Sequence, residues 1–169
     1  MIYRFRIILD THEDVFRDIE IEEEATLEDF HNAIINAFGF DGNEMASFYL
    51  SDGDWNQGEE ISQFDLSEGA ESIRLMNETT LDSVVSESQT KLIYVYDFLS
   101  MWTFLIELGE IAEPEAGRDY PNLMFAHGQI PLEAPEKEFI AEKDEFEDDF
   151  DEDFDLDNYD EQTNDDIWN

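Results

Sequence analysis

The sequence predicts an α+β fold: a β-hairpin, one main helix and further, mostly antiparallel strands in a compact domain, followed by an acidic C-terminal tail. Three observations carry this expectation. Apolar residues recur at every second position over 2–9, 15–22 and 91–108, the period of strands with a buried face. Residues 26–39 carry a helical stripe with a capping residue at each end. From Glu136 onward Asp and Glu dominate, a composition that is usually disordered.

The elements follow in order. Tyr3, Phe5, Ile7 and Leu9 share one face of a strand, with Arg4 and Arg6 on the other. After the polar break His12-Glu13-Asp14, Val15, Arg17, Ile19 and Ile21 share a face opposite Phe16, Asp18, Glu20 and Glu22. Two such runs across a short gap predict a hairpin. Thr26 is an N-cap, Glu28 and Asp29 suit the positive end of the helix dipole, and Leu27, Phe30, His31, Ile34, Ile35 and Phe38 form the stripe. Gly39 stands where a C-cap belongs. Ala46–Leu50 reads as a strand, 51–58 as a turn, and Ile61, Phe64 and Leu66 as residues that pack back on the core. Ile73–Met76 reads as a short strand and Thr80–Val85 as a capped helical turn. Residues 92–98 are apolar on both faces, which predicts a central strand, and 102–108 its hairpin partner. Pro114, Gly117, Pro121, Gly128, Pro131 and Pro135 then punctuate an irregular stretch. The expected organisation is a domain over 1–112, an irregular connection over 113–135 and a tail over 136–169.

Charge narrows the function classes. With 46 acidic and 8 basic residues the net charge is −38. Residues 134–169 hold 17 acidic and 2 basic residues, so 1–133 carry 29 and 6, a net of −23. Such a surface opposes direct nucleic-acid binding, which needs Lys and Arg to displace counterions, and opposes anionic membranes. It favours basic proteins, with strong salt dependence. The chain has no cysteine, which removes disulfides and thiolate chemistry. The first residues read as a strand, not as a secretion signal, and no apolar run reaches the roughly 20 residues of a spanning helix. A cytoplasmic location is the expectation.

The order of elements resembles the family of proteins similar to the third open reading frame of plasmid pRiA, also known as insertion-sequence passenger or resolvase-like proteins. The resemblance rests on Tyr3–Leu9, on Ala25-Thr26-Leu27-Glu28-Asp29-Phe30-His31-Asn32-Ala33-Ile34, on Ala37-Phe38-Gly39-Phe40-Asp41, on Leu92-Ile93-Tyr94-Val95-Tyr96-Asp97-Phe98 and on Phe154-Asp155-Leu156-Asp157. It implies a compact α+β domain whose first hairpin and helix are β-grasp-like; no enzymatic activity is established for the family. The chain departs from the family pattern at Asn43–Phe48, at Leu99–Phe104 and from His127 to Glu138, where relatives place further His, Trp, Gly or Cys residues. Polar positions that would form a site in relatives are largely replaced here.

His31 lies in the helix stripe with no second His at ligand spacing, which favours packing over a role as base or metal ligand. Asp52, Asp54 and Asn56 have the one-three-five spacing of a calcium loop, but Gln57 and Gln63 stand where glycine and a bidentate Glu are needed. Asp151, Asp153, Asp155 and Asp157 lack a glycine turn and a closing Glu. Asp97 reads as a turn cap at a strand end. No phosphate loop, nucleophile elbow or zinc spacing occurs. The expectation is therefore a non-catalytic interaction protein for a basic partner, with no catalytic residues, metal or cofactor. Phe146, Phe150, Phe154, Tyr159 and Trp168 are its tail anchors, steering by charge and holding by aromatic contact. Two alternatives stand beside it: an acidic mimic of nucleic acid, and an enzyme using carboxylate-held divalent metal.

Overall fold

A computed structural model describes residues 1–65, 73–131 and 133–134. The strands are β1 (Ile2–Leu9), β2 (Phe16–Glu22), β3 (Ala46–Ser51), β4 (Gln57–Ser62), β5 (Arg74–Leu75), β6 (Lys91–Tyr96), β7 (Trp102–Ala112) and β8 (Asn122–His127), with helix α1 (Leu27–Phe38) after β2. They form one eight-stranded sheet in the order β5-β4-β3-β6-β7-β1-β2-β8. Every pairing is antiparallel except the two-residue β4–β5 contact. The fold is thus mixed α+β, one helix on a mostly antiparallel sheet. Among the described residues no helix is long and apolar enough to cross a membrane.

Both sequence-read hairpins are present, and β1 joins them by pairing with β7 on its far side. Register explains the alternation. Ile7, Ile106, Leu92 and Leu50 lie side by side across β1, β7, β6 and β3, as do Leu9, Phe104, Tyr94 and Phe48. This face carries α1. Phe30 packs on Phe5 and Phe48 with ring centroids 4.6 and 5.6 Å apart, and Phe38 on Phe104 at 4.7 Å. The opposite face alternates an apolar row, Phe16, Ile8, Leu105, Ile93 and Tyr49, with a charged row, Asp18, Arg6, Glu107 and Lys91. β6 sits near the middle of the sheet with five of its six residues buried, as its two apolar faces require.

Helix α1 is set by local chemistry. The Thr26 hydroxyl accepts from the Asp29 backbone N–H, the Asp29 carboxylate accepts from the Thr26 N–H, and Gly39 closes the helix at φ +81°. A 3-10 turn at Leu81–Ser83 follows Thr80, whose hydroxyl bonds the Asp82 side chain instead of capping the backbone. Two other readings change, and that of Asp97 holds. The stretch 113–131 is less irregular than its Pro and Gly suggest, because β8 lies inside it and Ile130 packs on the core, with Ala134 beyond; Met1–Pro135 form one compact unit. Ile61 is buried, but Phe64 is half exposed and Leu66 lies outside the described residues. Asp97 adopts φ +64° just past β6, and its carboxylate accepts from the Leu99 and Ser100 N–H groups, so it caps the turn into β7.

Candidate functional site

The sheet ends differently at its two edges. One edge is the two-residue β5. The other is β8, six residues long, paired with β2 on one side and with no strand beyond it among the described residues. Proteins usually blunt such an edge with charge, proline or brevity. β8 instead presents Leu123, Met124 and Phe125 at 45, 44 and 52 % exposure. A register shift opposite Asp18 and Ile19 lets Leu123 pair with Ile19 and Phe125 with Asp18, so the two side chains serve opposite faces. Phe125 and His127 lean on Phe16 of the open face, with ring centroids 5.9 and 5.2 Å away.

Leu123 turns instead toward α1. Between the helix and the chain at 120–123 lie two hollows of about 230 and 320 Å³ that share Ala33, Asn36 and Pro121 in their walls. Alanines on α1 keep the groove open, since larger side chains at Ala33 and Ala37 would fill it. Residues 30–40 and 120–132 are the two longest stretches of the chain without Asp, Glu, Lys or Arg, and the fold brings them together here. The floor is therefore uncharged. Acids stand at its rim: Glu22 and Asp29 line the second hollow.

Two buried charges fix these walls. Arg17 of β2 is only 8 % exposed. Its Nε donates to the Ala37 carbonyl at 3.1 Å, and its NH1 to the Phe16 and His127 carbonyls at 2.8 and 3.0 Å. The guanidinium also lies 4.8 Å from the Phe38 ring. The last turn of α1 has no basic residue of its own, so Arg17 supplies the cation that a helix C-terminus favours and ties α1, β2 and β8 together. Burial lowers its pKa. Glu20, with no exposed surface, is the second rivet. It accepts from Arg4 Nε at 3.0 Å, Arg118 NH1 at 2.7 Å and Asn122 Nδ2 at 2.9 Å. Burial would raise its pKa, but the hydrogen bonds from Asn122, Arg118 and Arg4 outweigh that and hold it below the usual carboxylate range. Arg4 and Arg118 also reach Glu115, and Arg4 reaches Glu110, which fastens the 113–121 loop to the sheet.

His31 is 2 % exposed, its Nδ1 lies 2.7 Å from the Tyr94 hydroxyl, and burial lowers its pKa to about 4. Asp52 accepts from the Asp54 and Asn56 N–H groups and from the Asn56 side chain, closing an acidic turn. Among the described residues no group of three or more His, Asp or Glu is placed to hold a metal. Phe146, Phe150, Phe154, Tyr159 and Trp168, and the Asp151–Asp157 run, lie outside the described residues. Sequence reasoning did not find Leu123, Met124 and Phe125; the uncharged stretch around them was the available signal.

The solved structures include a crystal structure of MM3350, a protein of unknown function from Methanosarcina mazei Go1, that is similar in fold, with a TM-score of 0.63 and 19 % identity over 74 % of this chain and 68 % of that one. A search of curated proteins finds no match. The model of the plasmid pRiA4b ORF-3-like proteins matches residues 1–137. The chain belongs to the plasmid pRiA4b ORF-3-like protein family.

Proposed function

We propose that this protein is a non-catalytic interaction module whose acidic surface engages a basic protein. One observation carries the reading: the six basic side chains of residues 1–133 are all engaged within the fold. Arg4, Arg6, Arg74, Lys91 and Arg118 are in ion pairs, and Arg17 is bound to carbonyls. Against them stand 29 carboxylates over the same residues, so the excess charge is negative and each cation already has a carboxylate or carbonyl partner. Charge of this kind steers association and sets partner sign more than it sets affinity. Holding power comes from buried apolar anchors, a role we assign to Phe146, Phe150, Phe154, Tyr159 and Trp168 together with the exposed side chains of β8. The β1–β2 hairpin followed by α1 on the same sheet supports the β-grasp-like description of the fold.

The test is capture of binding proteins from the native host at low salt, identified by mass spectrometry. It compares the whole chain with a variant carrying Ala at Phe146, Phe150, Phe154, Tyr159 and Trp168, whose net charge is unchanged. Capture of one basic protein by the whole chain, with loss on aromatic substitution, is the expected result. Equal capture by both would take the anchoring role away from the tail. Absence of any basic protein from both would remove the reading.

A further inference from the structure

Apart from Met1, the exposed large apolar side chains fall at two places: β8, and the end of the sheet where β6 turns into β7. The turn 97–101 reads Asp-Phe-Leu-Ser-Met. Leu99 at its tip is 96 % exposed and Phe98 40 %. The backbone of a turn needs neither, since Gly, Asn, Asp and Ser serve it without exposing apolar surface. The tip is also preformed. Asp97 and Met101 hold φ +64° and +61°, the Asp97 carboxylate accepts from the Leu99 and Ser100 N–H groups, and the Thr103 hydroxyl donates to the Met101 carbonyl at 3.0 Å. At its base Phe40 stacks on Tyr96 and meets Trp102 edge-on, with ring centroids 4.6 and 5.1 Å apart. Phe64, itself half exposed, emerges at the same end, because the Gln63 N–H donates to the carbonyl of Ala46, the residue opposite Tyr96.

The charge around the tip selects its partner. The loops 10–15 and 39–45 reach the same end: the Asp10 N–H donates to the Thr103 carbonyl, the Asp97 N–H to the Met45 carbonyl, and the Tyr96 hydroxyl to the Asp41 carboxylate. With the turn, these loops carry Asp10, Glu13, Asp14, Asp41, Glu44 and Asp97 and no Lys or Arg. Arg4, Arg6, Arg74, Lys91 and Arg118 pair with other carboxylates, and among the described residues none of the six is in an ion pair. All but Asp97 are exposed. A cation brought to this end therefore meets carboxylates that no internal cation has neutralised.

We propose that the 97–101 turn anchors a basic protein, with Leu99 and Phe98 entering an apolar pocket whose rim of Lys or Arg faces the six carboxylates. This rests on the partner reading above and names its contact surface. A rigid apolar tip loses little freedom on binding, and the charge around it speeds association with a partner of opposite sign. Charge disfavours the other occupants. A second copy brings the same carboxylates, residues 134–169 carry 17 acidic against 2 basic residues, and an anionic bilayer repels this end.

The probes are a capped Leu-Lys-Lys-Leu-Leu-Lys-Lys-Leu-Leu-Lys-Lys-Leu peptide, whose helix has an apolar face bordered by Lys, a version with Gln for each Leu, and a version with Glu for each Lys. Binding to the full chain is followed by fluorescence anisotropy at about 0.15 M salt, where the Debye length is about 8 Å, and by amide hydrogen exchange. The proposal expects the first peptide to bind about tenfold more tightly than either control and to slow exchange over 98–101. Leu99→Ser, at an exposed position, should cost about tenfold in affinity. Asp10→Asn with Glu44→Gln, two exposed changes outside the turn's own hydrogen bonds, should cost roughly threefold. Binding of the first peptide that Leu99→Ser leaves unchanged, or that the Gln version matches, would overturn the tip as anchor while leaving the acidic-surface reading in place. Equal binding of the Glu version, or no binding of either cationic peptide, would remove both. A dimer that Leu99→Ser dissociates would assign the tip to a second copy and overturn the proposal.

Discussion

Lowering the pH below neutrality should weaken the fold through one side chain in α1. His31 is 2 % exposed, and burial lowers its pKa to about 4, whereas in an unfolded chain it titrates near 6.5. Its folded form is neutral, with Nδ1 at 2.7 Å from the Tyr94 hydroxyl. The contribution is therefore fully present above about pH 6.5 and is lost as the pH falls toward 4, because in that window the unfolded chain takes up a proton that the folded one refuses. At about 1.4 kcal/mol per pH unit the loss reaches ~3 kcal/mol, a large share of a typical domain's 5–15 kcal/mol. The many carboxylates titrate in part of the same range, so the measurement is a difference: urea unfolding of the parent and of His31→Gln, followed by tryptophan fluorescence from pH 4 to 7.5. Carboxylate effects cancel between the two, and any packing cost of Gln is constant with pH. The stability advantage of the parent over the variant should shrink by ~3 kcal/mol between pH 6.5 and 4. A difference that stays flat to within ~0.5 kcal/mol would refute the buried, neutral assignment.

Other perturbations test the rivets and caps. Glu20→Ala removes the acceptor shared by Arg4, Arg118 and Asn122. Breaking a buried pair costs about 3–5 kcal/mol, and the partial exposure of both arginines reduces this to roughly 2–3 kcal/mol by urea unfolding, with faster amide exchange over 113–122. Gly128→Ala places a Cβ against the Asp14 carbonyl and Val15 at a residue with φ +81°, and should lower stability by about 2 kcal/mol in a thermal scan. Thr26→Ala opens the capping box at about 1 kcal/mol, while Thr26→Ser should retain most of it.

What was legible in the sequence is what local chemistry determines. Thr26, Asp29 and Gly39 define α1 because capping partners lie within a turn of each other. The apolar faces of 92–98 mark a central strand because both sides must be buried. β8 was not legible: an exposed edge needs no alternation, a register shift disturbs what pattern there is, and Pro121 and Gly128 bracket it as though it were loop. The roles of Arg17 and Glu20 were equally hidden, since their decisive partners lie 110 and 98 residues away. The alternation places Arg17 on the buried face of its strand; only the fold shows that the Ala37 carbonyl at the end of α1 receives it. The two uncharged stretches of the groove are visible in the sequence, but their meeting is a property of the sheet order.

The most direct test of the interaction reading is the salt dependence of what the intact chain retains from a lysate of its native host, captured at about 0.05 M and about 0.3 M salt. Screening lengths in that range fall from roughly 14 to 6 Å, so a partner steered by this acidic surface should be basic, abundant at the lower salt and largely lost at the higher. Retention of the same neutral or acidic proteins at both concentrations would contradict the role assigned to the charge.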